Sequence, residues 1–159
     1  MTVNVKNTII INSDGQKVLL GDYEGQVLLI VNVASYCGFT AQYNDLQKLH
    51  ENYSEKGLKV LAFPCNDFGN QEPGTLDEIK EFCTTNFNVK FEIFDKVKAR
   101  GETTEPYTTL NKCEPEGDVE WNFEKFIVGR DSNVLARFKS SVKPFDENLI
   151  AAIEVALDS

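Results

Sequence analysis

VLLIVNVA, the stretch from Val27 to Ala34, is the part of the sequence that says most about the fold. Its residues are almost all apolar and rich in β-branching, which is typical of a strand buried on both faces of a sheet. A second run of this kind, Leu58–Phe63, ends at Pro64. Both runs are therefore predicted to be central strands.

The residues between these two strands predict an amphipathic helix from Ala41 to about Glu55. Thr40 suits the N-cap position, and Gly57 suits the end of the helix. The inward-facing residues recur at helical spacing and are Tyr43, Leu46, Leu49 and Tyr53. A strand, a helix and a second strand in this order predict a βαβ unit.

The remaining elements extend this unit in both directions. Upstream, Asp14-Gly15 lies between Thr8–Asn12 and Lys17–Leu20, which predicts an N-terminal β-hairpin. Downstream, the patterns predict a helix that starts with the capping box Thr75–Glu78, and then a short strand at Phe91–Phe94 and a short helix at Pro106–Cys113. A hairpin of Lys125–Val128 with Val134–Phe138 and a terminal helix at Asp146–Leu157 are predicted to follow. This order predicts one α/β domain over residues 1–159 with a thioredoxin-like fold, in which helices flank a central mixed sheet.

Composition excludes several classes of function. The chain has 159 residues, of which 42% are hydrophobic, enough for a sizeable core. A net charge of −9 argues against a nucleic-acid partner and against stable association with anionic membranes. No apolar run approaches the roughly 20 residues of a membrane helix, and Met1–Lys6 lacks a signal-peptide pattern. We therefore expect a cytoplasmic protein, unless a processed leader precedes this sequence.

The cysteines and the single histidine limit the chemistry further. The four cysteines are Cys37, Cys65, Cys83 and Cys113, and no two of them have C-x-x-C spacing. A zinc site of the usual type is therefore not expected, nor is any other metal or cofactor. A site of the Cys-His or Ser-His-Asp kind would need His50 as its base, since no other histidine is present. Structural disulfides are not expected in a chain of this size in a reducing compartment.

Cys37 is the strongest candidate for a reactive thiol. It lies in ASYCGFT, between a buried strand and a helix, at the edge of the sheet where α/β proteins bind ligands. The N–H groups at the start of a helix favour an anion, and hence the nucleophilic thiolate. Gly38 would let a substrate approach the backbone closely. The alternative is a buried cysteine that acts only as a small apolar side chain, but polar residues and glycine surround Cys37.

Three separate segments make the interpretation more specific. They are NVASYCGFT around Cys37, FPCNDFGNQEP from Phe63 to Pro73, and WNFEKF from Trp121 to Phe126. Together they resemble the glutathione peroxidase family in its cysteine form, and the resemblance extends over nearly the whole chain.

The resemblance implies a thiol peroxidase with a defined set of catalytic residues. Cys37 matches the peroxidatic position, and Gln71, Trp121 and Asn122 match the other members of the catalytic tetrad. Amide and indole N–H groups are neutral donors that favour a thiolate and stabilise charge on a leaving oxygen. Attack on the peroxide O–O bond would convert Cys37 to a sulfenic acid, which a second thiol must resolve.

The resemblance also suggests how the cycle ends. Cys83 matches the resolving position of the thioredoxin-dependent members, although its place on the apolar face of a helix is equally typical of a core cysteine. If that helix packs away from Cys37, roughly residues 80–90 must unwind for a disulfide to form. Cys65 is interpreted as structural, with backup resolution as the alternative, and Cys113 as incidental.

The donor and the oligomeric state follow from the same resemblance. A Cys37–Cys83 disulfide would suit thioredoxin as the electron donor better than glutathione. The short connection Cys113–Val119 lacks the oligomerising loop of glutathione users, so we expect a monomer with an open site. Hydrogen peroxide and bulky lipid hydroperoxides are the expected substrates.

Two other functions remain open from the sequence. An oxidant sensor would share the oxidation of Cys37 but pass it to a partner protein. A non-catalytic thioredoxin-like binding module would need no tetrad, and the intact set of Cys, Gln, Trp and Asn argues against it.

Overall fold

A computed structural model describes residues 2–159 of the protein, so Met1, the first residue of the predicted domain, lies outside the described residues. The strands are β1 Ile9–Ile11, β2 Lys17–Leu19, β3 Val27–Val33, β4 Leu58–Pro64, β5 Glu92–Ile93, β6 Lys125–Val128 and β7 Val134–Phe138. The helices are α1 Gln42–Tyr53, α2 Leu76–Phe87, α3 Tyr107–Leu110 and α4 Glu147–Leu157. Short 3-10 turns lie at Leu20–Tyr23 and Ser54–Lys56.

The protein is built around a five-stranded mixed sheet in the order β5-β4-β3-β6-β7. β3 is parallel to β4, and β4 is parallel to β5, while β6 is antiparallel to both β3 and β7. Every residue of β3 is buried, because the strand lies in the middle of the sheet and both of its faces are covered. β1 and β2 form a separate antiparallel hairpin. The predicted thioredoxin-like architecture is confirmed.

The two faces of the sheet carry separate hydrophobic clusters. One face packs against α1, α2 and α4, through residues such as Leu46, Ile79 and Leu149. The opposite face packs against the N-terminal segment, α3 and the loop that contains Phe68. Alternate residues of β3 and β4 supply the two clusters, so residues next to each other along a strand belong to different faces. None of the helices in residues 2–159 is long and apolar enough to cross a membrane.

Most predicted elements are present, with shorter ends in some cases. The hairpin β6–β7 has the predicted bounds, and the capping box of α2 is formed by Thr75 and Glu78. The strand predicted at Phe91–Phe94 is reduced to Glu92–Ile93, and the helix predicted at Pro106–Cys113 is reduced to Tyr107–Leu110. Both segments lack the length of apolar repeat that would extend them.

The predicted role of Thr40 as an N-cap is wrong. Ala41 precedes the first residue of α1, and no side chain caps this end. The Thr40 hydroxyl instead accepts a hydrogen bond from the backbone N–H of Cys37 (2.9 Å) and donates one to the carbonyl of Ala34 (2.8 Å). Thr40 therefore closes the turn that contains Cys37, a role for which the same residue type is equally suited.

Lys125 in β6 is a fully buried lysine. Its ammonium donates hydrogen bonds to the carbonyls of Ser140, at 3.0 Å, and Val142. Gln42, at the start of α1, donates to the same Ser140 carbonyl. Lys125 thus attaches the loop after β7 to the sheet, and Gln42 attaches the same loop to the helix that follows Cys37. Burial lowers the pKa of Lys125 from its usual 10.5 to about 7, and the charge of neighbouring Glu124 only partly opposes this.

This lysine predicts a pH dependence of stability. Between about pH 7 and 10.5 the folded protein binds fewer protons at Lys125 than the unfolded chain, so its contribution to the free energy of unfolding rises with pH. Replacing it in Lys125→Met keeps the apolar stem and removes the titration. The stability of the wild-type protein relative to this variant should therefore rise by up to about 1.4 kcal/mol per pH unit. Urea unfolding at several pH values from about 7 to 9 measures this difference in the free energy of unfolding, and Lys48→Met, which replaces an exposed lysine, is the control. A difference independent of pH would contradict the prediction.

Candidate active site

The candidate site lies at the carboxyl edge of the two central parallel strands. In the β3–β4 register Val33 is opposite Pro64, so both strands end at the same level. The N–H of Cys65 donates to the carbonyl of Val33 (3.1 Å) and continues the pairing by one residue. The loops that contain Cys37 and Gln71 leave the sheet side by side from this edge, where α/β sheets bind ligands.

Cys37 is held in a turn between β3 and α1. Its side chain is partly exposed, and its sulfur accepts a hydrogen bond from the backbone N–H of Phe39 (3.3 Å). Since α1 begins only at Gln42, the N–H group that faces the sulfur belongs to this turn and not to the helix. The predicted exposure of Cys37 between a strand and a helix is confirmed. The N–H group that donates to its sulfur belongs to the turn before α1, however, and not to the helix as predicted.

Gln71 is joined to the Cys37 turn through the backbone. The carbonyl of Gln71 accepts a hydrogen bond from the N–H of Tyr36 (3.0 Å). Its side-chain Oε1 accepts from Nδ2 of Asn122 (2.9 Å), which leaves the Nε2 amide as the donor available to a substrate. Gly69 in the same loop has φ of +68°, and a Cβ there would lie 3.1 Å from the Trp121 ring. Glycine is therefore needed for Trp121 to approach this loop.

Asn32 places the third segment, which contains Trp121 and Asn122. It is fully buried in β3, where its Nδ2 donates to the carbonyl of Trp121 (3.1 Å) and its Oδ1 accepts from the N–H of Glu124 (3.0 Å). Its backbone carbonyl also accepts from the N–H of Phe123 (2.7 Å). Phe123 adopts a left-handed conformation with φ of +65°, which is strained for a residue with a side chain. One buried side chain thus fixes a tight turn against the end of β3.

Glu72 holds the first two loops together. The residue is fully buried, and its Oε1 accepts a hydrogen bond from the N–H of Ser35 (3.1 Å). Lys96 donates from its ammonium to the carbonyls of Glu72 (2.7 Å) and Gly74 (2.9 Å), and Asn66 accepts from the N–H of Glu72 (2.9 Å). Burial raises the pKa of Glu72 to about 7, although hydrogen bonds from Ser35 and the charge of Lys96 oppose it.

Cys83 lies on the inner face of α2, on the same face of the sheet as Cys37. It is fully buried in the hydrophobic cluster against which Cys37 also packs. The rings of Tyr36 and Phe82, the residues that precede the two cysteines, lie 6.2 Å apart. All four cysteines are free thiols. Burial raises the pKa of Cys83 to about 11, and a hydrogen bond with Tyr43 only partly offsets this.

The other two cysteines belong to the opposite face of the sheet. Cys65 is fully buried there, and burial raises its pKa to about 12. Cys113 is partly exposed and packs against the same cluster. The sheet lies between these thiols and the cluster that contains Cys83 and borders Cys37. This separation supports a structural role for Cys65 and argues against backup resolution.

The remaining polar groups do not add a metal or a histidine to the site. His50 is in the last turn of α1, and its ring packs against Phe91 (6.3 Å between centroids), away from the Cys37 turn. In residues 2–159 no group of three or more His, Cys, Asp or Glu side chains has the arrangement of a metal site. Among the described residues, the hydrogen bond to the Cys37 sulfur comes from a backbone N–H group, that of Phe39.

Comparison with known proteins assigns this arrangement to a family. The family model described as "Glutathione peroxidase" matches residues 5–112. The chain belongs to the glutathione peroxidase family. It is 44% identical to the hydroperoxy fatty acid reductase gpx1 of Synechocystis sp., over 99% of this chain and 100% of that protein. It is 38% identical to the thioredoxin/glutathione peroxidase BtuE of Escherichia coli, over 99% of both. The protein is accordingly a peroxidase.

Solved structures agree with this assignment. The structure titled "Crystal structure of Trgpx in apo form" superposes with a TM-score of 0.79 at 32% identity, covering 98% of this chain and 96% of that one. The structure titled as T. cruzi GPX1 has a TM-score of 0.74 at 27% identity, covering 98% and 97%. A more distant neighbour is titled as a DsbE-type thiol:disulfide interchange protein from Chlorobium tepidum, with 21% identity and a TM-score of 0.70 over 98% and 96% of the chains. It shares the fold alone.

Sequence reasoning missed two residues that position the candidate site in this peroxidase. Asn32 is the one polar residue inside VLLIVNVA, and a polar residue in a strand buried on both faces must find a partner. That pattern is a usable signal, although it does not say which segment the side chain binds. Glu72 follows Gln71 directly, and nothing in a loop sequence distinguishes a buried carboxylate from an exposed one.

Asn32 predicts a coupled loss of stability and of peroxidase activity. In Asn32→Ala, the carbonyl of Trp121 and the N–H of Glu124 lose their buried partners, which should lower the free energy of unfolding by roughly 2–4 kcal/mol. The turn that holds Trp121 and Asn122 should loosen, and peroxide reduction should slow by about tenfold or more. Urea unfolding and the rate of peroxide consumption measure the two effects. Asn44→Ala, on the exposed side of α1, is the matched control. Equal activity in the two variants would contradict the role assigned to Asn32.

Proposed function

We propose that this peroxidase reduces hydrogen peroxide and organic hydroperoxides through Cys37, and that Cys83 and thioredoxin complete its cycle. The supporting observation is the meeting of three loops at the end of β3. There the Tyr36 N–H bonds the Gln71 carbonyl, the Asn122 amide bonds the Gln71 side chain, and Asn32 holds the Trp121 turn. Cys37, Gln71, Trp121 and Asn122 form the catalytic set in this proposal.

The first half of the reaction oxidises Cys37. Its thiolate attacks one oxygen of the peroxide, an S–O bond forms, and the O–O bond breaks with its electron pair on the departing oxygen. That oxygen takes up a proton and leaves as water or an alcohol, and Cys37 becomes a sulfenic acid. The Phe39 N–H supports the anionic sulfur, and the free Nε2 amide of Gln71 is available to the developing charge on oxygen.

The second half of the reaction requires Cys83. Its burial in the cluster that also contacts Cys37 supports it as the resolving thiol, since the remaining two thiols are on the other face of the sheet. A fully buried thiol cannot be reached by a protein donor, so α2 opens over roughly residues 80–90 during turnover. Thr84, Thr85 and Asn86 are exposed and have weak helix propensity, which makes this part of α2 the easiest to unwind.

The choice of donor and substrate follows from the same arrangement. An intramolecular disulfide is best reduced by a dithiol protein, hence thioredoxin rather than glutathione. The name of the Escherichia coli relative includes both thioredoxin and glutathione, and the name of the Synechocystis relative supports a fatty-acid hydroperoxide as substrate. A single-domain monomer over residues 1–159 and a cytoplasmic location belong to the same proposal. The short segment 113–119, which lies between α3 and Trp121, supports the monomer, because it leaves no long loop for assembly.

A coupled assay tests the proposed cycle. The protein is mixed with thioredoxin, thioredoxin reductase, NADPH and either hydrogen peroxide or a fatty-acid hydroperoxide, and NADPH oxidation is followed. Cys37→Ser should abolish turnover, and Cys83→Ser should reduce it at least about a hundredfold while one equivalent of peroxide is still consumed. Cys113→Ser, a thiol on the opposite face, is the control and should retain the wild-type rate.

The same assay contains the outcomes that would contradict the proposal. Full turnover in Cys37→Ser would show that Cys37 is not the peroxidatic residue. Full turnover in Cys83→Ser would show that Cys83 is not the resolving residue. An equal rate with glutathione and glutathione reductase in place of the thioredoxin system would remove the preference for thioredoxin.

A further inference from the structure

The part of α2 that opens in the proposed cycle, roughly residues 80–90, lies between two fixed points of the chain. Upstream, Thr75 and Glu78 form the capping box at the start of α2. Downstream, the N–H of Lys90 donates to Oε1 of Gln47, a buried side chain of α1, at 2.8 Å. The movement is therefore confined to the chain between these two attachments.

Aromatic side chains connect this part of α2 to its surroundings. The ring centroid of Phe87, at the end of α2, lies 5.2 Å from that of Tyr43 on α1. The ring centroid of Phe82 lies 5.8 Å from that of Phe87 and 6.2 Å from that of Tyr36, in the turn between β3 and α1. We call the four residues Tyr36, Phe82, Phe87 and Tyr43 the aromatic row. The row joins α1, α2 and the Cys37 turn.

Tyr36 is the exposed end of the aromatic row. Tyr43, at the other end, is fully buried, whereas Tyr36 is 68% exposed. The backbone of Tyr36 is fixed, because its N–H donates to the carbonyl of Gln71 at 3.0 Å. Its ring extends from there to α2 and contacts Phe82. A side chain that is mostly in water adds little to the hydrophobic core, so the contact with Phe82 is the main contribution of this ring to the structure.

We propose that the Tyr36 ring holds α2 closed over Cys83, and so sets how often Cys83 becomes available to Cys37. The inference rests on the proposed function, in which Cys83 is the resolving thiol. Phe82 and Cys83 are neighbours in one helix, so the unwinding that releases Cys83 also moves Phe82 away from Tyr36. Tyr36 is thus a positioning residue, which acts on the reaction through α2 and does not contact the peroxide.

In this scheme, the opening of α2 decides between two fates of the Cys37 sulfenic acid. After opening, the Cys83 sulfur bonds to the Cys37 sulfur, and the S–O bond breaks with its electron pair on the oxygen. That oxygen takes up the Cys83 proton and leaves as water. Before opening, a second peroxide can transfer an oxygen to the sulfenic sulfur and leave as water or an alcohol, which gives a sulfinic acid. The Tyr36 ring therefore shifts the balance towards the sulfinic acid, while it keeps Cys83 buried in the resting protein.

Two features of the contact suit this role. It links the residue before Cys37 to the residue before Cys83, so it spans the two segments whose thiols must meet. Its strength is also suitable, since an aromatic pair at this separation changes an equilibrium by about three- to tenfold. A contact of that strength makes the opening of α2 less frequent without preventing it.

Alkylation of the reduced full chain tests the contact without any peroxide. Cys83 is fully buried, so its reaction with excess iodoacetamide, followed by peptide mass spectrometry, reports how often α2 opens. Tyr36→Ala should speed the alkylation of Cys83 by about three- to tenfold. Tyr36→Phe keeps the ring and should match the wild type. Val155→Ala on α4 removes another side chain that is 68% exposed, and it should also match the wild type.

A double-mutant cycle shows whether the effect comes from the pair of rings. Phe82→Ala should speed alkylation at least as much as Tyr36→Ala, because it also removes the contact with Phe87. Adding Tyr36→Ala to Phe82→Ala should then change the rate by less than about twofold. Effects of the two substitutions that multiply would overturn the proposal. If Phe82→Ala does not fold, the comparison of Tyr36→Ala with Tyr36→Phe decides the question by itself.

Single-turnover kinetics connect the opening of α2 to the resolving step. The reduced protein is mixed with one equivalent of hydrogen peroxide, quenched at intervals with a sulfenic-acid trap and a thiol alkylator, and analysed by mass spectrometry. Tyr36→Ala should form the Cys37 sulfenic acid within about twofold of the wild-type rate, and the Cys37–Cys83 disulfide about three- to tenfold faster. With excess peroxide, a smaller fraction of its Cys37 should reach the sulfinic acid. Tyr36→Phe should behave as the wild type in all three measurements.

The outcomes distinguish this inference from the proposed function. If the wild-type protein forms no Cys37–Cys83 disulfide, the proposed function fails and this inference fails with it. If the wild type forms the disulfide and Tyr36→Ala leaves both Cys83 alkylation and disulfide formation at the wild-type rate, the function stands and the role of Tyr36 is overturned. Slower disulfide formation in Tyr36→Ala would also overturn it, since the ring would then assist resolution instead of restraining it. Equal changes in Tyr36→Ala and Tyr36→Phe would assign the effect to the hydroxyl and would overturn the role of the ring contact.

Discussion

The parallel pairing of β3 with β4 is the constraint on which the rest of the structure depends. The register brings the last residues of both strands, Val33 and Pro64, to one level at the same edge of the sheet. Because both faces of β3 are buried, its backbone groups can be satisfied only by neighbouring strands, which leaves little freedom in this register. The turn with Cys37 and the loop with Gln71 therefore begin at fixed positions beside each other.

Buried polar side chains then fix the loops that the sheet brings together. Asn32, Thr40 and Glu72 each contribute hydrogen bonds between segments, and all three are buried. In such an environment a polar group without a partner is destabilising by about 1–3 kcal/mol, so each contact tends to hold a single geometry. The exposed part of the site is small, and most of the residues that determine its shape are out of reach of solvent.

Much of the fold could be predicted from the sequence because its signals are local. The apolar runs of β3 and β4, the capping box of α2 and the hairpin β6–β7 are each encoded within a dozen or so residues, and all are present. The likeness of three segments to a family predicted the residues of the candidate site. The positioning contacts were not predictable, because Asn32 bonds residues 89 and 92 positions away and Glu72 bonds one 37 positions away. The role of Thr40 was not predictable for the same reason. Its hydroxyl could either cap a helix or close a turn, and only the packing of the folded chain determines which of the two it does.

The long sequence separation within the site also bears on how the protein is made. Cys37, Gln71 and Asn122 come together only after β6 has paired with β3, and that contact joins distant parts of the chain. Contacts of this kind form late in folding. A nascent chain emerging from the ribosome thus carries Cys37 long before it carries Asn122, the hydrogen-bond partner of Gln71. In the proposed cycle, efficient peroxide chemistry therefore belongs to the finished molecule, and a chain that stalls before β6 is added exposes Cys37 without the segment of Trp121 and Asn122.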